Sequence, residues 1–158
     1  MFVFSFNIKK AGKYALIAAL ALGTVIFAAA KVRDARAVPV VKSAYQDIAG
    51  NEERREFLAR FGWETTAEPE ETVAVSVPET LDGAYAEYAE LQTSQGFSLE
   101  SFRGKTLTRY TYGVTNYEGQ PEGTVKANLL MSGTTVVGGD ICSVLSDGFI
   151  HGFAKPQE

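Results

Sequence analysis

Apolar and polar positions follow two different periods in residues 43–95. From Ser43 to Phe61 the apolar residues recur at helical spacing with a break at Gly50, and a second helical pattern covers residues 81–95. Between them, residues 72–77 alternate strictly, with three valines on one side, as in a strand with one buried face. The pattern therefore predicts a helix, a strand and a second helix.

The second half of the chain is predicted to be β-structure. Threonine, tyrosine and valine are frequent there, and polar and apolar residues alternate as in strands in residues 105–115, 124–131 and 134–144. A tight turn at Ser132-Gly133 joins the last two strands, and Gly138 and Gly139 predict a bulge or a close backbone approach. We expect an α+β domain of order α-β-α-β-β-β, with about four antiparallel strands and two helices on one face.

A run of seventeen uncharged residues, 14–30, precedes this domain. As a helix it is about 25 Å long and is flanked by basic residues, which predicts a transmembrane helix or an uncleaved signal anchor. A cleaved signal peptide is the alternative, because small residues at 28–30 and 35–37 resemble cleavage sites. With an anchor, residues 1–13 form a basic cytoplasmic tail, 31–42 a linker and 43–158 an extracytoplasmic domain; with cleavage the domain is secreted.

The net charge of −4 combines two segments of opposite sign. Residues 1–37 contain six basic residues and one acidic residue, whereas residues 38–158 contain nine basic and eighteen acidic residues. No basic stripe lies outside residues 1–37, which argues against nucleic acid as a partner. The partners expected are the membrane, through residues 14–30, and an envelope protein or cell-wall component.

Candidate chemistry is confined to the C-terminal part of the chain. Cys142 is the single cysteine and His151 the single histidine, and Asp140 and Asp147 lie near them in sequence. One hypothesis is a thiol–imidazole pair of Cys142 and His151 in a cell-envelope enzyme. The other treats Cys142 as a small buried hydrophobe on a core strand and His151 as bonded to the backbone. No spacing typical of a metal site is present, and no cofactor is expected.

Two further groups of residues are candidates for a functional role. Tyr110, Tyr112 and Tyr117 are a candidate stacking surface for cell-wall sugars, although tyrosines are equally common on half-buried sheets. The acidic group Glu68, Glu70 and Glu71 is interpreted as a solvated turn, because these carboxylates are too closely spaced for an acid–base pair.

Several stretches together resemble the family called domain of unknown function 4830. They are residues 55–63, 104–117 and 127–130, the run VGGDICSV over 137–144 and the run DGFIHGF over 147–153. The resemblance covers about residues 50–153, and the C-terminal runs are its most specific part. It implies a membrane-tethered extracytoplasmic α+β domain of Gram-positive gut bacteria, and it implies no reaction.

The sequence therefore leads to two functional hypotheses. The first is a non-catalytic, membrane-tethered binding or interaction module, because no convergent set of polar residues is evident. The second is an envelope enzyme that uses Cys142 with His151, with Asp140 as a further candidate.

Overall fold

The computed structural model describes residues 45–156, and the helices and strands in that range follow the predicted order. Helix α1 covers Asn51–Ala59 and helix α2 covers Ala84–Ser94. A 3-10 helix follows α2 at Leu99–Phe102. The strands are β1 (Glu71–Ser76), β2 (Thr106–Gly113), β3 (Val125–Ser132), β4 (Thr135–Ser143) and β5 (Ile150–His151).

The predicted cytoplasmic tail, membrane helix and linker, residues 1–13, 14–30 and 31–42, lie outside the described residues. Within residues 45–156, no helix is long and apolar enough to cross a membrane.

The strands form one antiparallel sheet in which every strand pairs with its neighbour in sequence, in the order β1-β2-β3-β4-β5. In β1, Val73 and Val75 face the interior and Val77 after it is buried, as the alternation predicts. The sheet has five strands rather than about four, because the short extended segment after the last predicted strand pairs with β4.

The prediction that both helices cover one face of the sheet is wrong. Phe57 and Leu58 of α1 pack in the same core as Leu129 of β3, whereas Tyr88 and Leu91 of α2 pack with Leu130. Neighbouring residues in a strand point to opposite faces, so α1 and α2 lie on opposite sides of the sheet. The central strand β3 is accordingly buried on both faces.

The part of the predicted first helix that precedes Gly50 is not helical in residues 45–50, where the structure describes it. These residues form a turn followed by irregular chain, and the Ile48 N–H donates to the carbonyl of Thr134 beside β4 (2.9 Å). The N-cap of helix α1 is Gly50, so no side chain caps the first turn of this helix. The Asn51 side chain instead donates to the Ala67 carbonyl (2.7 Å) and accepts from the Tyr112 hydroxyl (2.8 Å).

A bulge interrupts β4, as Gly138 and Gly139 predict. Leu130 pairs with Gly138 but Met131 pairs with Val136, which leaves Val137 as the extra residue. A side chain at Gly139 would meet the Asn128 carbonyl and the Phe153 ring. The close approach of another backbone is therefore confirmed at this position.

Candidate functional site

Asp140 lies at the centre of a buried polar network between the sheet and α2. Its side chain is fully buried, accepts a hydrogen bond from the Tyr88 hydroxyl (2.8 Å) and accepts another from the Asn128 amide (2.9 Å). The side-chain oxygen Oδ1 of Asn128 accepts a hydrogen bond from the Thr111 hydroxyl (2.7 Å). Burial raises the pKa of Asp140 to about 6, although these hydrogen bonds favour its charged form.

Cys142 lies next to this network on β4. Its thiol is buried, and the Asn128 amide lies 3.5 Å from the sulfur. Burial and the neighbouring Asp140 carboxylate raise the pKa of Cys142 well above its usual range. A thiol in this environment stays protonated and is a poor nucleophile. The structure thus brings Asp140 and Cys142 together as core residues.

His151 is on the other side of the sheet from both. In the β4–β5 pairing, His151 is opposite Ile141 and Ile150 is opposite Cys142. Ile141 belongs to the α1 core, whereas Ile150 packs against the α2 core. Cys142 and His151 therefore point to opposite faces and form no thiol–imidazole pair.

The His151 ring belongs to an aromatic cluster on the α1 side. It stacks on Phe149 with ring centroids 5.4 Å apart, and its Nε2 lies 3.1 Å from the Tyr117 hydroxyl. Its Nδ1 lies 2.6 Å from the Gly152 carbonyl, so Nδ1 carries the proton in the neutral ring and Nε2 accepts from Tyr117. Burial lowers the pKa of His151. The backbone partner expected for this histidine is present.

The remaining candidate residues do not converge either. Asp147 is exposed in the loop before β5, and residues 45–156 contain no group of three histidine, cysteine or acidic side chains that could hold a metal ion. Tyr112 is fully buried and bonded to Arg54 (2.9 Å). Tyr117 instead stacks between Trp63 and Phe149. The three tyrosines Tyr110, Tyr112 and Tyr117 consequently do not form one sugar-stacking surface.

The acidic turn contributes to sheet pairing rather than being wholly solvated. Glu70 forms an ion pair with Lys126 of β3 and Glu71 one with Arg109 of β2. Glu68 is exposed. Two of the three carboxylates therefore help hold β1 in register, and none belongs to an acid–base pair.

The outer edge of β4 is covered along its length by three separate elements. At its start, Val136 donates to the Tyr45 carbonyl (2.9 Å). In its middle, the Gln92 side chain of α2 donates to the Gly139 carbonyl (3.0 Å) and accepts from its N–H (2.8 Å). At its end, β5 pairs with residues 141 and 142. Backbone groups at the start, in the middle and at the end of this edge are therefore already bonded within the domain.

The other edge of the sheet, β1, is open. Val77 donates to the Lys105 carbonyl (2.9 Å), and on the far side of β2 Val114 donates to the Val125 carbonyl (2.9 Å). Along antiparallel strands, residues that bond to the neighbouring strand alternate with residues that do not. Counting from either bond, the backbone groups of Val73 and Val75 are the ones that bond to β2. The N–H and C=O groups of Thr72, Ala74 and Ser76 therefore point outward, and no strand among residues 45–156 pairs with them.

An apolar cleft lies beside this open edge, on the α2 side of the sheet. Its volume is about 70 Å³. It is lined by Val75, Ser76, Val77 and Pro78 of the β1 segment, by Tyr85 and Tyr88 of α2, and by Leu99, Leu107, Arg109 and Leu130. A strand edge with an adjacent apolar cleft is the arrangement used by domains that bind an extended peptide as an added strand.

A larger hollow of about 350 Å³ lies on the α1 side, next to Trp63, Tyr117 and Lys155. The Tyr117 ring is covered on both faces by its aromatic neighbours, and the Lys155 ammonium lies over the Trp63 ring at 4.9 Å. Asn116 uses its amide within the domain, accepting from the Glu64 N–H and donating to the Gly62 carbonyl. This hollow therefore presents few groups to a ligand, and the β1 edge is the stronger candidate site.

A family model described as domain of unknown function (DUF4830) matches residues 57–141, more than half of the chain. The chain belongs to this family. The match runs from α1 into β4, so it includes the open edge, the cleft and Asp140 in one DUF4830 unit. Comparison with curated proteins and with solved structures gives no match.

Sequence reasoning missed two features of this DUF4830 domain. The first is the set of partners of Asp140, because Tyr88, Asn128 and Thr111 come from three different elements. The second is the open β1 edge. Its signal was present in the sequence, since the outward positions Thr72, Ala74 and Ser76 are small and uncharged, whereas edge strands commonly carry lysine or proline.

Proposed function

We propose that this DUF4830 domain is a non-catalytic interaction module whose partner protein adds a strand to the open edge of β1. The observation that carries the proposal is the contrast between the two edges of the sheet. The β4 edge is covered by residues 45–48, by Gln92 and by β5, whereas the backbone groups of β1 remain open. Natural sheets usually protect such edges, so an exposed one marks an interaction site.

The cleft beside β1 supports selectivity for the added strand. Main-chain hydrogen bonds supply affinity for any extended segment, whereas a side-chain pocket distinguishes one sequence from another. The cleft walls are mostly valine, leucine and tyrosine. We expect the bound strand to place one small aliphatic side chain there.

The enzymatic alternative has little in the geometry to support it. Cys142 is buried and its pKa is raised, and His151 belongs to the opposite face. Asp140 is fully enclosed by its hydrogen-bond partners. Asp140 and Cys142 are therefore inaccessible to a substrate, and the partly exposed His151 lies on the opposite face from both.

The proposal includes the extracytoplasmic location that the apolar run of residues 14–30 predicts. In it, residues 14–30 anchor the chain in the membrane and residues 43–158 lie outside the cytoplasm, where they meet their partner protein. A cysteine introduced at the exposed position Glu87 of the full chain would test this location. A membrane-impermeant maleimide should label this cysteine in intact cells, and labelling only after lysis would contradict an extracytoplasmic location.

Position-specific photo-crosslinking tests the interaction itself. A photoreactive amino acid at Ala74 or Ser76 of the full chain, produced in its own cells, should give a discrete crosslinked protein band. The matched control is the same amino acid at Glu87, which is exposed on α2 and should give none. Thr72→Pro removes one outward N–H and should weaken the crosslink from Ser76 about tenfold, the loss expected for one hydrogen bond of about 1.4 kcal/mol. Equal crosslinking at all three positions, or none from β1, would refute the proposal.

A further inference from the structure

We propose that the strand completing the β1 edge is β1 of a second copy of this chain. The two strands would run antiparallel and be related by a two-fold axis perpendicular to the sheet, midway between the two copies of Ala74. The pairing would join two five-stranded sheets into one. This inference rests on the proposed function, because it names the partner of the same edge. It follows from the hydrogen-bond register, the side chains and the charges of β1.

The backbone register of β1 is complementary to itself. An axis at Ala74 places Ala74 opposite Ala74 of the second copy and Thr72 opposite Ser76 of the second copy. These three are the residues whose N–H and C=O groups point away from β2. In antiparallel strands, residues that exchange hydrogen bonds alternate with residues that do not. Symmetric pairing about Ala74 therefore brings outward groups only against outward groups, and it satisfies all of them between Thr72 and Ser76.

The side chains agree with the same axis. On the α2 face, Val75 lies opposite Val73 of the second copy, so β-branched residues face each other across the new pair. Val75 lines the apolar cleft. The cleft volume of about 70 Å³ is roughly half that of a 150 Å³ cavity that accepts benzene, so it suits one small aliphatic group. Val73 supplies such a group at the position adjacent to Val75, and the symmetry repeats the contact at the other cleft.

The charges of β1 do not oppose this pairing. Glu71 is the one charged residue of the strand, and its carboxylate is paired with Arg109. In the antiparallel arrangement Glu71 lies opposite Val77 of the second copy, six residues along the strand from the other Glu71. At about 3.4 Å per residue the two carboxylates are about 20 Å apart, which is beyond a Debye length in physiological salt. A self-complementary patch of this kind is what a two-fold interface requires.

Cysteine substitution in the full chain tests the register directly. Cα atoms of a hydrogen-bonded antiparallel pair are about 5.5 Å apart, within the range that a disulfide spans. In membranes treated with a mild oxidant, Ala74→Cys should therefore form disulfide-linked dimers by itself. Thr72→Cys and Ser76→Cys are the matched controls: each alone should give at least about tenfold less dimer, because its two copies lie about 14 Å apart. Mixing these two variants should restore the dimer. The unmodified chain controls for Cys142, which is buried.

A second measurement covers the solution state. In detergent, sedimentation equilibrium of the full chain should show a concentration-dependent dimer that Ala74→Ser retains, because serine keeps the outward N–H. Ala74→Pro removes that N–H and should abolish the dimer while circular dichroism shows that the domain is folded. If Ala74→Cys gives no more dimer than the unmodified chain, or if Thr72→Cys alone dimerises as well, the proposed pairing is wrong.

The photo-crosslinking result separates this inference from the proposed function. A crosslink from Ala74 to a different protein, together with failure of Ala74→Cys to dimerise, would overturn self-pairing and leave the interaction module standing. Failure of both experiments would overturn both proposals. A crosslinked band with twice the mass of the chain, combined with Ala74→Cys dimers, is the result expected.

Discussion

The hydroxyl of Tyr88 donates a 2.8 Å hydrogen bond to the Oδ2 of Asp140 and so fastens α2 to the interior of the sheet. Tyr88 also lines the cleft beside β1. A carboxylate that is otherwise remote from the surface thus holds in place one wall of the candidate binding site. The consequences can be measured through stability, proton binding and thiol reactivity.

Tyr88→Phe should destabilise the domain. The substitution removes a donor from a buried carboxylate, which costs about 1–3 kcal/mol of the free energy of unfolding. Urea unfolding at pH 7.5 measures this cost. Tyr85→Phe is the matched control, since Tyr85 is a half-buried tyrosine of the same helix, and it should change stability by less than about 0.5 kcal/mol. Similar losses in both variants would show that the Tyr88–Asp140 bond contributes little.

Asp140 should make the domain more stable in mild acid than at neutral pH. Its pKa is raised to about 6 in the native state, whereas an unfolded aspartate titrates near about 3.9. The native state therefore binds this proton more tightly, and the resulting stability is complete below about pH 4 and is lost as the pH rises through 6. The loss is about 3 kcal/mol, at about 1.4 kcal/mol for each tenfold change in proton affinity.

Asp140→Asn isolates this contribution. The lowered pKa of His151 acts in the opposite direction, because the unfolded state then binds the histidine proton more tightly, but it is common to both proteins. The difference in unfolding free energy between the unmodified domain and Asp140→Asn should therefore fall by about 3 kcal/mol from pH 4 to pH 7. Parallel stability curves for the two proteins would contradict the assignment.

Cys142 should be protected from alkylation in the folded protein. Its thiol is buried, and its pKa is raised by burial and by the charge of Asp140. Iodoacetamide at pH 8 should modify it at least about 100-fold more slowly in buffer than in urea, because reaction requires the thiolate and access to it. His151→Ala should leave the rate in buffer unchanged if the domain remains folded. Fast modification that depends on His151 would instead favour the enzymatic hypothesis.

Gly139→Ala should be far more harmful than Gly133→Ala. Both glycines have positive φ angles, 153° and 60°. A side chain at Gly133 meets nothing within 4 Å, whereas one at Gly139 overlaps the Asn128 carbonyl and the Phe153 ring. Gly133→Ala should cost about 1–2 kcal/mol for the backbone conformation alone, and Gly139→Ala about 3 kcal/mol or more. Thermal unfolding of the two variants compares them, and equal losses would show that the bulge can relax.

The features of the fold that could be predicted from the sequence are those that depend on short local patterns. The alternation of Val73, Val75 and Val77 identifies β1 and its inner face, and the turn at Gly133 joins β3 to β4 as a hairpin. These features depend on a few consecutive residues. The assignment of each helix to a face does not. Because β3 is buried on both faces, each face needs a covering element, and the local periodicity of α1 does not indicate which face α1 covers.

The candidate site was predictable only in part for a related reason. The position of Asp140 within an apolar strand indicates an unusual buried carboxylate, and Cys142 has the buried environment predicted as one of its two interpretations. The relation of Cys142 to His151 depends on the pairing of β4 with β5. In that pairing Cys142 is opposite Ile150 rather than His151, and a change of one residue in register would have placed both side chains on the same face.

The hydrogen bonds that join residues 45–48 to the start of β4 also determine how the domain bears mechanical load. A force applied at Tyr45 acts first on its carbonyl's bond with Val136 and on the bond from Ile48 to Thr134. Strand β1 is at the opposite end of the sheet, four inter-strand spacings or about 20 Å away. Tension entering through the N-terminal side would therefore strip the segment next to β4 before it reached β1, and a complex formed at the β1 edge would survive the early steps of mechanical unfolding.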